Sequence, residues 1–148
     1  MQHKLLNDDR QRTFAVVLDT GDEAMASIRS FAASQHIAAA QITGIGAFSS
    51  LTLKFFDWEK KAYLENRVDE QVEVASLVGD VALAPSGEAS VHIHLVVGRS
   101  DGTALAGHLG SGMVRPTLEM IVTESPAHLQ KVHDPDTGLA LIKLEQRR

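Results

Sequence analysis

Residues 90–112, SVHIHLVVGRSDGTALAGHLGSG, restrict the fold more than any other stretch of this chain. Apolar and polar residues alternate from Val91 to Leu95 around a period of two, the signature of a half-buried strand. A strand sends successive side chains to opposite faces. Val91, Ile93 and Leu95 therefore take the core face, and His92 and His94 share the other. Asp101-Gly102 is hairpin chemistry, and two registers fit it. A two-residue loop makes paired numbers sum to 203, which sets His94 against Leu109 and turns His108 away. A three-residue loop, Ser100-Asp101-Gly102, makes the sum 202 and sets His94 directly opposite His108. In that loop the last residue is left-handed and Gly102 is its natural occupant.

The register decides what the histidines can be. Solvated, hydrogen-bonded and ligand roles are all open to strand histidines, but directly opposed residues have Cβ atoms about 4.5–5.5 Å apart, within reach of a shared ion. Cysteine is absent from all 148 residues, so disulfides and thiolate sites are excluded and any metal site must use imidazole, carboxylate, backbone oxygen or water. Three neutral imidazoles, His92, His94 and His108, make a donor set for zinc or another divalent transition metal, with one position left for water or ligand. Glu119 is a candidate support for that cluster or a subunit contact. Gly107, Gly110 and Gly112 around His108 allow close backbone approach. Of the seven histidines, His3, His36, His128 and His133 have no partner at ligand spacing.

The remaining pattern is mostly strand. Residues 14–18 read as a buried strand. Thr20 and Glu23 stand at capping-box spacing before an amphipathic helix over about 22–35, with Met25, Ile28, Phe31 and Ala32 on its apolar stripe. Further strands are expected at 42–48, 51–56, 62–64, 72–81 and 117–123, with Ser49-Ser50, 57–61 and Pro85-Ser86-Gly87 as turns. Asp134-Pro135-Asp136-Thr137-Gly138 carries turn residues between two closing strands. The class is α+β: a largely antiparallel sheet of six to eight strands packed with one main N-terminal helix, in a single domain spanning 1–148. Residues 1–11 are expected to be a disordered N-terminal segment. The pair of glycines in TGIGA, 43–47, lacks the third glycine and following helix of a dinucleotide site and reads as a bulge or close contact. Ser111 beside His108 lacks the setting of a hydrolase nucleophile.

Charge and hydropathy narrow the function. Fourteen basic against nineteen acidic residues leave a net charge of −5, the opposite of the basic face that phosphate neutralisation demands; the bases are scattered, with Gln146-Arg147-Arg148 a tight basic cluster. No run approaches the roughly 20 apolar residues of a membrane helix, and no export signal is visible, so a cytoplasmic location is the expectation. General acid–base candidates near the histidines reduce to Glu119 and Glu88, which favours a binding site over a catalyst.

VEVASLVGDVAL, 72–83, and VHIHLVVGRSDGTALAGHLGSGMVRPTLEMIV, 91–122, resemble the PPC (plants and prokaryotes conserved) domain. The paired histidines coupled to Gly107-His108-Leu109 are the specific element, and SIRSFAASQHIAAAQITGIGA and DPDTGLALIKL also fit. The resemblance implies an α/β sandwich-like domain that forms a homotrimer, with the family's histidine cluster on His92, His94 and His108. It also implies a DNA association, because plant members carry AT-hooks; no Arg-Gly-Arg-Pro element occurs in this chain. Three functions are open: a trimeric regulatory module contacting DNA, a metal-dependent enzyme or small-molecule binder using the three histidines, or a purely structural trimer whose histidines fill a subunit cleft.

Overall fold

A computed structural model describes residues 1–7, 11–125 and 129–144. The elements run β1 (Gln2–Asn7), β2 (Thr13–Asp19), α1 (Ala24–Ser34), β3 (Ala39–Asp57), β4 (Ala62–Val68), β5 (Val72–Leu83), β6 (Ala89–Gly98), β7 (Ala104–Glu124), β8 (Lys131–His133) and β9 (Ala140–Ile142). The first seven strands form one antiparallel sheet in the order β1-β2-β7-β6-β5-β3-β4, and β8 and β9 pair separately. β3 also pairs with β7. With β7 on β6, β6 on β5 and β5 on β3, the sheet closes on itself.

Within the stretch 1–11 where disorder is expected, Gln2–Asn7 instead pair with β2 as an edge strand. Gln146-Arg147-Arg148 and His128 lie outside the described residues. Among the described residues, no helix is long and apolar enough to cross a membrane.

Helix α1 buries Met25, Ile28, Phe31 and Ala32, the stripe read from the sequence, together with Ala24. Phe31 meets Phe14 of β2 edge to face at 5.3 Å. Burying each such aromatic or branched side chain contributes about 1.5–3 kcal/mol. The helix start differs from expectation. Glu23, not Thr20, is the cap: its carboxylate accepts from the Met25 and Ala26 amides at 3.3 and 2.7 Å. The same carboxylate accepts from Gly112 N at 2.9 Å, so the cap also ties the helix to β7. Thr20 is drawn away by donating to the Pro116 carbonyl at 2.9 Å. At the other end His36 takes φ 53. The His36 and Ile37 amides donate to the carbonyls of Ala33 and Ala32, a Schellman closure that satisfies the last turn.

Two long strands replace four expected short ones. Ser49-Ser50 is no turn: β3 runs through it for 19 residues, and β7 runs 21 residues through 117–123. The bends are absorbed by register shifts between the two strands near Gly46, Phe48 and Leu53, as bulges permit. Backbone proximity explains TGIGA: a Cβ on Gly46 would overlap the Thr117 carbonyl, and one on Gly44 would sit 2.8 Å from the Glu119 carbonyl. The closing hairpin forms around Asp134, whose Oδ1 accepts from the Asp136 and Thr137 amides and the Thr137 hydroxyl at 2.9–3.1 Å.

Candidate metal centre

The hairpin between β6 and β7 takes the three-residue register. Arg99 N donates to Thr103 O at 2.9 Å, Gly102 has φ +82, and His94 pairs with His108. Asp101 Oδ1 braces the loop by accepting from the Thr103 amide at 2.9 Å and its hydroxyl at 2.6 Å. Val91, Ile93, Leu95 and Val97 point into the core, which sends His92 and His94 to the opposite face. One ring nitrogen from each of His92, His94 and His108 lies within 4.8 Å of the other two. The Nε2 atoms of His92 and His94 are 3.1 Å apart; two nitrogens at zinc-ligand distance would subtend about 100° at that spacing, close to tetrahedral.

Pairing across four strands puts other groups beside them. Lys54 of β3 lies opposite His108, and Asp80 of β5 lies opposite His92. Asp80 Oδ2 is 3.2 Å from His92 Nδ1, which leaves His92 Nε2 free to face the cluster. Carboxylates behind metal-binding imidazoles commonly hold ring orientation in this way. The other oxygen, Asp80 Oδ1, is 3.3 Å from Lys131 Nζ of β8, which also reaches Ser90 Oγ at 3.4 Å. Burial works against ionisation of Asp80, but His92 and the Lys131 charge outweigh it and hold the carboxyl below its ordinary pKa.

Two of the imidazoles favour the neutral, ligating form. Burial and the neighbouring His92 lower the pKa of His94. Burial first, then His92 and His94, lowers that of His108 to about 4. His108 Nδ1 is buried without a hydrogen-bond partner, a cost that native interiors rarely leave uncompensated. Tyr63 packs its ring on His108 at 5.3 Å. Three convergent imidazoles, one with an orphaned nitrogen and one backed by a carboxylate, fit a divalent transition metal. The group opens into a cleft of about 880 Å³.

The other expected residues sort differently. A Cβ on Gly107 would come within 3.0 Å of the Lys54 carbonyl, and one on Gly110 within 2.7 Å of the Lys54 side chain. Gly110 is the extra residue of a bulge, since Leu109 pairs with Leu53 and Ser111 with Thr52. Glu119 does not support the histidines: it lines a second groove with Ile45, Val78 and Ile121, which shares no residue with the cleft. Glu88 lies exposed in the turn before β6. Asp80, Lys131, Tyr63 and Lys54 escaped the sequence reading. Asp80 alone left a signal, as a carboxylate inside the apolar run VGDVAL; the five-residue turn over 84–88 sets it against His92.

Comparison with known proteins agrees with this geometry. The model of the Plants and Prokaryotes Conserved (PCC) domain matches residues 7–126. The chain belongs to this family. Among solved structures, a PPC protein of Pyrococcus horikoshii superposes on the PCC domain described here with a TM-score of 0.84 at 28% identity, covering 99% of this chain and 97% of its own. A metal-containing protein from Archaeoglobus fulgidus gives 0.82 at 30% identity over 97% of each chain. A protein of Bacteroides thetaiotaomicron described as a "putative dna binding protein" gives 0.84 at 29%, covering 95% of this chain and 96% of its own. A curated relative, the bifunctional protein GlmU of Synechococcus sp. (strain JA-3-3Ab), is 28% identical over 91% of this chain, which spans only 21% of that protein.

Proposed function

We propose that this PCC-domain protein holds a divalent transition metal on His92, His94 and His108 and works as a small-ligand binding or regulatory centre. The observation that carries the reading is the convergence of three imidazole nitrogens within 4.8 Å. The metal-containing Archaeoglobus relative adds to it. Such an ion, zinc among those that fit, supplies a Lewis-acid position for a ligand oxygen. The chain's own residues prepare that position: Asp80 orients His92, Lys131 holds Asp80, and Tyr63 limits the tilt of His108. Binding is favoured over hydrolysis because Asp80, the one carboxylate lining the cleft among the described residues, is held between His92 and the Lys131 charge.

The proposal extends to a homotrimer. The exposed apolar rim of the second groove supports it, since Ile45, Val78 and Ile121 are 61, 52 and 42% exposed and contiguous apolar surface marks association. Contact with DNA is the weaker reading: it draws on the description of the Bacteroides relative, while a net charge of −5 opposes it.

Elemental analysis of untagged protein tests the metal. Near-stoichiometric metal per chain is expected, and the His94→Ala variant should lose it. Metal-free wild type after incubation with zinc would sink the reading.

A further inference from the structure

The cleft over the histidines runs against the charge of the chain. Among the described residues its charged lining is Lys54, Lys131 and Asp80, two cations to one anion in a protein of net charge −5. Asp80 is spent on His92 and Lys131. Lys131 is only 6% exposed, and lysine is almost never buried unless paired. Its ammonium has three donors; Ser90 takes one, and the Asp80 carboxylate lies beside it as an ion pair whose Oδ1 accepts no hydrogen bond. Lys54 enters from the other side of the cluster, opposite His108. Its partner Glu65, 3.4 Å away, does not line the cleft.

Apolar residues make up most of the remaining lining. Phe56 and Tyr63 come from β3 and β4, and Leu139, Leu141 and Ile142 from the closing hairpin. At about 880 Å³ the cleft falls in the size range of small-molecule sites. It is too small to seat a nucleic-acid duplex.

We propose that this cleft binds a small organic anion, its carboxylate or phosphate group meeting the metal face beside Lys131 and Lys54 and its apolar body lying on the aromatic rings and the β8–β9 hairpin. The proposal rests on the metal reading above. Without the ion, Lys131 and Lys54 remain as attractors; with it, the cleft gains two further positive charges in a half-enclosed site, where they act more strongly than in water.

Calorimetry on zinc-loaded protein tests the class of ligand, with hexanoate, hexyl phosphate, 1-hexanol and inorganic phosphate as probes. At least one hexyl anion should bind about tenfold or more tighter than both hexanol and inorganic phosphate. The two heads separate a carboxylate from a phosphate ligand. Lys54→Met should weaken the preferred anion about tenfold while zinc content stays unchanged. Lys131→Met would also strand Asp80, so Lys54→Met is the variant to read, and Leu141→Ser should weaken the hexyl anions but not inorganic phosphate. Equal binding of hexanol and the anions, or no binding by fully zinc-loaded protein, overturns the proposal. A DNA duplex that binds with steep salt dependence while no hexyl anion does would assign the lysines to a nucleic-acid surface and overturn it too. Zinc-free wild type overturns the metal reading itself, and this proposal with it.

Discussion

The histidine cleft and the groove at Glu119 share three strands, β3, β5 and β7, and draw on different stretches of each. In the cleft, polar side chains come in linked sets: Lys131 to Asp80, Asp80 to His92, His92 to His94. In the groove, of about 500 Å³, Glu119 is the single charged residue among mainly apolar ones. A buried polar group is costly unless it is matched, and beside this chain the Nδ1 of His108 is buried with no partner, which supports the proposed ion. An apolar rim with one carboxylate is shaped for another protein surface, where burial of area supplies the driving force and a lone charge sets orientation. On the proposed reading, the same sheet presents one site for a ligand and one for a neighbour.

The sharpest break of that contrast is Ile45→Asp. Placing a charge at the most exposed apolar position of the groove should cost at least about 2 kcal/mol per interface and convert trimer to monomer in light scattering, with metal content unchanged. A wild-type protein that runs as a monomer, or a variant whose mass is unaltered, breaks the assignment of the groove to assembly.

A smaller effect belongs to the cleft. Asp80→Asn keeps the shape but weakens the hold on His92, and metal affinity measured by chelator competition should fall about 10–100-fold. Assembly should be unaffected, and unchanged affinity would mean that Asp80 does not orient the ligand.

The smallest effect is on the pH dependence of the metal-free protein. The folded-state pKa of His108 is lowered from its ordinary value to about 4. Between about pH 6.5 and 4 the unfolded chain therefore binds a proton that the folded chain refuses, and stability falls as pH falls through that window. His108→Gln should flatten that part of the denaturation profile. An unchanged slope would show that His108 titrates alike in both states.

The helix stripe at Met25, Ile28 and Phe31, the turn at Asp134–Gly138 and the face shared by His92 and His94 were legible because each follows from side-chain periodicity or turn chemistry over a few residues. The failures share a cause as well. Thr20 looks like a cap until the Pro116 carbonyl, 96 positions away, takes its hydroxyl. Ser49-Ser50 looks like a turn until β7 pairs along both sides of it. Residues 1–11 look unstructured until β2 offers an edge to Gln2–Asn7.

By itself, then, the sequence determined the family, the α+β class and the two-histidine face, and it narrowed the hairpin to two registers. Only the tertiary structure chose between them and brought Asp80, Lys54, Tyr63 and Lys131 to the cluster. The physical reason is the range of the interactions. Alternation and turn geometry act within a few residues of chain. The ion pair between Lys131 and Asp80 exists only because β8 docks beside β5, and that is decided by how the whole sheet closes and what it must bury.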